Sequence, residues 1–243
     1  AGVNRENTRY TSEGGWYESD KVRFRQGMPE KIGGWQRIST ATFQGVCRSL
    51  HSWVTLVDLT LTSVGTNLKY YLENGGAYYD ITPIRATVTL TNPFTTANGS
   101  TTVTVTDAVG GYADGDFVTF SNASASGGLT LNGEFQITFS TGNTYTITAA
   151  SAASSTATGG GTVTATYQIS SGTALESPLV GWSAGTWGEG TWGNGGASTE
   201  SLRIWSQGNF GEDLILGHRG GPIYLWDASE NTPLENPATL LSA

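Results

Sequence analysis

The residues of this chain that could do chemistry are few and scattered. It has two histidines, His51 and His218, with no HxH or HxxxH spacing between them. Imidazole ligation of a metal needs neighbouring rings, and nucleophilic catalysis needs a base beside a hydroxyl or thiol. Both histidines therefore read as polar strand residues. The single cysteine, Cys47, excludes an internal disulfide and a Cys-based zinc site. Beside the strand expected at 48–54, and without a local motif, it is expected to be a small buried hydrophobe. The run GHRGG at 217–221 has the glycines of a phosphate loop. It lacks the Gly-Lys-Ser/Thr ending and a following helix, so a hairpin turn is expected there.

Carboxylates offer more, because a glycosidase needs only two of them. Asp107, Asp114, Asp116 and Glu134 lie in one stretch, and Glu212 and Asp213 are adjacent in another. Asp114 and Asp116 flank a turn glycine, where Asx-turn bonding gives aspartate a structural use. A calcium loop would need a DxDxDG pattern, which is absent. These residues stand as candidates for a carboxylate pair or a cation site, with turn structure as the competing account.

The third arrangement is aromatic. GWSAGTWGEGTWGNGG at 181–196 contains a tandem Gly-Thr-Trp-Gly, placing Trp187 and Trp192 in equivalent positions. Indole faces on a Gly-rich loop can stack on sugar rings. They can equally be buried against a subunit or a neighbouring domain, and the second reading is preferred.

The elements that must carry these groups are strands. Of 243 residues 34 are glycine, charged residues make up only 13%, and alternating Thr/Val runs replace any helical period. The expected class is all-β. The formal charge is −8, which argues against a protein that grips nucleic acid through a basic surface. Its distribution is stepped. Residues 1–85 hold ten Lys/Arg against eight acids, residues 86–202 none against seven, and residues 203–243 two against five.

That step marks an insertion. Residues 86–167 contain no tryptophan, although the chain has eight, and 21 of these residues are threonine. Alternating segments at 87–91, 102–106, 117–120, 135–139, 144–148 and 162–167 predict about six antiparallel strands in a small barrel or sandwich. The flanks form an approximate repeat. Leu68–Leu72, Gly75-Gly76 and Ala77–Asp80 on one side answer Asp213–Leu216, Gly220-Gly221 and Pro222–Asp227 on the other. Each ends in an aromatic-Asp followed by proline, with a further strand upstream at 48–54 or 202–206. Such units resemble propeller blades. The organisation expected is an N-terminal β-ribbon or anchor over 1–45, a first propeller-like blade over 46–85, the inserted Thr-rich domain over 86–168, and a Gly/Trp loop with a second blade over 169–243. A propeller closes with about four to eight blades. Two therefore predict that this is a piece of a longer chain.

Residues 13–35 read EGGWYESDKVRFRQGMPEKIGGW, with each Gly-Gly pair followed by tryptophan around a basic, β-prone run. A glycine before a buried aromatic lets the backbone turn while the ring anchors the segment. On a strand, Arg23 and Arg25 share one face and Val22 and Phe24 the other. This run resembles the opening of the tail nozzle proteins of short-tailed bacteriophages, also called tail hub, tubular or DNA-stabilisation proteins. Gly14, Gly15, Trp16, Val22, Arg23, Phe24, Arg25, Gly27, Pro29, Glu30, Lys31, Ile32, Gly33, Gly34 and Trp35 carry the match. The segment NFGEDLILGHRGGPIYLWD at 209–227 also resembles a blade of that family.

The resemblance implies a non-enzymatic virion component without cofactor or metal. It implies a homohexameric ring below the portal and its adaptor, near tail fibres or spikes. The ring's lumen would retain packaged double-stranded DNA and conduct it during ejection, without sequence-specific binding or integral membrane contact. Trp16, Arg23, Arg25, Trp35, Trp187 and Trp192 are the subunit-contact candidates. The alternative is a glycan-binding adhesin or tail-spike-like β-protein that recognises host surface polysaccharide through the Trp loop.

Overall fold

The computed structural model describes residues 3–173, 202–230 and 233–241, apart from 4, 7, 9, 12, 35, 36, 38 and 57. They fall into two compact units, residues 1–40 and 41–243.

The first unit is built on a hairpin of β1 (Val22–Arg25) and β2 (Met28–Lys31). Gln26 and Gly27 both have positive φ, 51° and 83°. This is the two-residue turn whose twist matches that of the strands it joins. Alternation follows the sequence: Val22 and Phe24 are half-buried, Arg23 and Arg25 exposed. Trp16 lies edge-on to Phe24 at 6.1 Å and bridges to Val3. It is nonetheless 45% exposed, so the expected buried anchor is a surface ring within this unit.

The second unit contains two four-stranded antiparallel meanders and a two-sheet insertion. The first meander comprises β3 (Cys47–Val54), β4 (Thr60–Thr66), β5 (Tyr70–Asn74) and β6 (Ala77–Asp80), in that spatial order. The insertion contains nine strands: β7 (Ile84–Thr91), β8 (Phe94–Thr96), β9 (Thr102–Thr106), β10 (Phe117–Ser121), β11 (Gly133–Gln136), β12 (Phe139–Thr141), β13 (Thr144–Thr148), β14 (Ala157–Gly159) and β15 (Thr162–Gln168). The second meander comprises β16 (Trp205–Phe210), β17 (Asp213–His218), β18 (Ile223–Trp226) and β19 (Thr239–Leu240), again in spatial sequence.

The insertion is a sandwich and not a barrel. Sheet β11-β10-β15-β7 packs on sheet β12-β13-β9-β8-β14 through one core that includes Phe94, Val105, Phe120, Ile147 and Val163. Both sheets are open. Their strands alternate apolar-in with threonine-out, as β15 shows: Val163, Ala165 and Tyr167 are buried between Thr162, Thr164 and Thr166. The nine strands exceed the six expected. The three-residue β8 and β14 were too short to alternate visibly, and the 135–139 run splits around Ile137. The entry and exit strands, β7 and β15, pair directly through most of their length, from Thr91↔Thr162 to Ile84↔Gln168. The insertion thus leaves and rejoins the meander region through adjacent backbone, which lets the flanking sheet tolerate it.

The two meanders share a second core containing Trp53, Leu61, Leu72, Trp205, Leu214 and Trp226. In both repeat-like hairpins a Gly-Gly pair makes the turn, but the sheets place them differently. β5 and β6 are the third and fourth strands of one meander, whereas β17 and β18 are the second and third of the other. The first turn is the two-residue Gly75-Gly76 loop. The second runs five residues beyond the Gly217↔Ile223 pair. The upstream strand expected at 202–206 lies at Trp205–Phe210. Leu202 instead bridges to Thr173.

Candidate functional site

The contact candidates in the first unit sit on the hairpin. Arg23 is paired in register with Glu30, and its Nε donates to Glu30 Oε2 at 3.0 Å. Arg5 Nη2 donates to Glu18 Oε1 at the same distance. The interleaved charges thus pair within the unit, leaving Arg25 and Met28 exposed beside the turn. Trp35, Trp187 and Trp192 lie outside the described residues.

In the second unit, hydrogen bonds fix the two meanders face to face. Trp53 Nε1 donates to the Glu212 carbonyl at 3.0 Å, and Trp205 Nε1 to the Thr66 carbonyl at 2.6 Å. Ser49 Oγ donates to Gln207 Oε1 at 3.2 Å. Trp53 and Trp226 meet edge to face at 6.2 Å, and Tyr70 meets Trp205 at 4.8 Å. Each indole N–H entering this apolar layer has an acceptor, so the layer is packed without an unpaired indole N–H. His51 stacks on Trp53 at 5.7 Å and contacts Asn209 Oδ1 at 3.2 Å, and His218 packs edge-on to Trp205 at 5.8 Å. The two histidines are thus separate packing partners of two different tryptophans.

Cys47 is exposed and not buried. The register of β3 against β4 shifts between Cys47 and Ser49, and this irregularity at the start of an edge strand turns the thiol outward.

The carboxylates are separated and structurally engaged. Asp107 is buried; it accepts from Val109 N at 2.8 Å and from the Tyr167 hydroxyl at 2.7 Å. Tyr145 and Tyr167 share a 2.7 Å hydrogen bond behind it. Burial raises both phenols far above their ordinary range, which keeps them as proton donors. Asp116 is also buried. It accepts from Ala113 N and Ser171 N, each at 2.9 Å, closing the turn at 113–116 and holding the exit segment. Asp213 accepts from Ala228 N at 3.0 Å, and Glu212 accepts from Leu56 N. Asp114, flanking the same turn as Asp116, is exposed. Among the described residues no group of three or more His, Cys, Asp or Glu side chains is placed to hold a metal ion.

One charged cluster was not legible in the sequence. Lys69 is buried with its Nζ 2.6 Å from Asp80 Oδ2 and also bonded to Glu134 Oε1 of β11. The ammonium lies 4.4 Å from the centre of the Phe117 ring, and Gln168 Nε2 donates to Asp80 Oδ2 at 2.9 Å. The first meander, the insertion and its exit strand thus meet at one buried cation. The available signal was that Lys69 is a lone lysine in the run Leu68–Leu72.

The aromatic-Asp endings share a local geometry. Asp80 Oδ1 accepts from Thr82 N at 2.9 Å, and Asp227 Oδ1 accepts from Ser229 N at 2.7 Å. Both are Asx turns that close a strand. Hydrogen bonds from the Ser229 hydroxyl and then its backbone hold the Asp227 carboxyl below its ordinary value.

No family model matches the chain, and no curated protein matches it. Among solved structures it is similar to the phage phi92 endosialidase, at 18% identity and a TM-score of 0.30, over 88% of this chain and 32% of that one. The chain thus spans about a third of that structure's length, and a likeness of this degree carries no argument about activity. Among the described residues no helix is long and apolar enough to cross a membrane.

Proposed function

We propose that this chain is a structural virion protein, a subunit of the ring-shaped tail nozzle of a short-tailed bacteriophage. The observation that carries the reading is the run from Gly14 to Trp35, whose central residues fold as the paired hairpin β1–β2. Two four-stranded meanders packed face to face support it, since that is the arrangement of neighbouring propeller blades. In this reading six copies form a ring that attaches below the portal and adaptor, retains packaged DNA, and conducts it during ejection. Tail fibres or spikes bind nearby, and the inserted sandwich projects outward.

The charge of −8 suits such a conduit. Each phosphate neutralised by Lys or Arg releases counterions and strengthens binding, so a basic lumen would brake a moving duplex. Subunit contacts are assigned to Trp16, Arg23, Arg25 and Trp35 of the N-terminal ribbon and to Trp187 and Trp192. The test is electron microscopy of the native particle or complex that contains the chain, with rotational averaging. A six-fold ring around an axial channel is expected; a monomer, or a trimer without a channel, overturns the reading.

The tandem Gly-Thr-Trp-Gly favours a second reading, a glycan-binding adhesin or tail-spike-like protein. A pull-down with host surface polysaccharide separates the two, because a nozzle predicts no retention.

A further inference from the structure

Between the two meanders lies a cleft of about 470 Å³, at the end where β3 turns into β4 and β16 into β17. Leu59, Leu61, Trp226 and Leu234 give it an apolar wall, and among the described residues Glu212 and Glu235 are the only charged ones in its lining. One Glu212 oxygen is taken by the Leu56 N–H. Among the described residues no Lys or Arg pairs with either glutamate.

The surroundings have the same sign. Strand direction places Asp58, Glu73, Asp213, Asp227 and Glu230 at this end of the two sheets. The basic residues of the meanders fall at the opposite end: Arg48 at the start of β3, Lys69 before β5, Arg203 before β16 and Arg219 after β17. Apart from Asp80, which pairs with Lys69 at the basic end, the charges of the two meanders are segregated along their strands. The acidic end contains an apolar cleft of the size that takes one or two bulky side chains.

The geometry points to a docking site for a segment of a partner protein that carries a basic side chain next to a bulky apolar one. The apolar group fills the cleft against Trp226 and the leucines, supplying the buried anchor that dominates the energy of such contacts. The cation answers Glu212 and Glu235 where the seated anchor has excluded water and a charge pair is stronger than on an open surface. A neutral apolar occupant would desolvate two carboxylates without compensation, and an acidic one would meet the potential of the whole rim. The inference stands whether or not the chain belongs to a phage tail.

The test is isothermal titration of the full chain with three blocked tetrapeptides: alternating Arg-Leu, alternating Glu-Leu and alternating Arg-Gly. The Arg-Leu peptide is expected to bind, the Arg-Gly peptide at least tenfold more weakly, and the Glu-Leu peptide not at all. A Glu212→Gln, Glu235→Gln double variant keeps an oxygen for the Leu56 N–H. It is expected to weaken Arg-Leu binding at least tenfold with an unchanged unfolding midpoint, whereas Arg219→Gln at the opposite end leaves binding unchanged. Equal binding of the acidic peptide, no binding of any peptide at millimolar concentration, or binding indifferent to the double variant each overturns the proposal. Self-association that the double variant abolishes also overturns it, by assigning the cleft to a second copy of the chain.

Discussion

Lys69 Nζ donates to Asp80 Oδ2 at 2.6 Å, joining the residue that precedes β5 to the last residue of β6 around a buried ammonium. Glu134 of the inserted sandwich binds the same nitrogen. Removing the cation leaves two carboxylates facing each other in a partly desolvated site. Lys69→Ala is therefore expected to destabilise the chain by about 2 kcal/mol, below the cost of breaking a fully buried pair because both acids keep some solvent. Glu134→Gln retains an oxygen acceptor and should cost less. Denaturant midpoints for the two variants check this; equal and negligible effects would show that the cluster does not hold the insertion to the meander.

Gly65 is the point where β4 passes under Trp205. A Cβ there would lie 2.6 Å from Trp205 Cδ1 and 2.4 Å from Ser49 Oγ. Gly65→Ala must push the two meanders apart locally. A loss of roughly 1–3 kcal/mol is expected from overpacking, with a changed near-ultraviolet circular dichroism signal from the displaced indole.

Tyr167→Phe removes a donor from a carboxylate that has few others. Asp107 would keep only the Val109 N–H, and the Tyr145 hydroxyl would lose its partner. The expected cost is about 1–3 kcal/mol, the range for leaving a buried polar group unsatisfied. Asp107→Asn in the Tyr167→Phe background should recover part of it, which a double-mutant cycle would measure.

Burial, reinforced by the charge of Arg203, lowers His218 from its ordinary value of 6.5. The unfolded chain therefore binds this proton at higher pH than the folded one. The stability contributed by neutral His218 is complete above about pH 6.5 and is lost as pH falls toward the lower folded-state value. His218→Gln is expected to flatten the slope of unfolding free energy against pH in that window. An unchanged slope would show that the imidazole titrates normally.

Arg23 and Glu30 form an exposed pair at 3.0 Å on the N-terminal hairpin, and such pairs contribute about 0–1 kcal/mol. Arg23→Ala should leave the unfolding midpoint almost unchanged. If this face makes subunit contacts, the same substitution reduces ring assembly, as read by sedimentation. Intact assembly removes Arg23 from the contact surface.

Much of the architecture is local in origin. Alternation placed β9 and β13 at their exact limits and β10 and β15 within a residue, because period-2 burial is written directly into Thr/Val runs. The pairs Gln26-Gly27 and Gly75-Gly76 mark two tight hairpins through their positive φ values. Short strands such as β8, β14 and β19 carry too few residues for any period to emerge.

By itself, the sequence determined the all-β class, the change of character near residue 86, the aromatic-Asp turns, and which face of the N-terminal hairpin is basic. Each depends on neighbours a few residues apart. Tertiary structure alone decided that the insertion is an open sandwich, that its first and last strands pair, and that Cys47 faces outward. It also decided that Lys69 sits between Asp80 and Glu134, and that the acids of the meanders other than Asp80 gather at one end beside an apolar cleft. These depend on contacts such as Lys69–Glu134 and Trp53–Glu212, between residues far apart in the chain. Strand order and sheet-on-sheet packing set such contacts, and no local pattern encodes them.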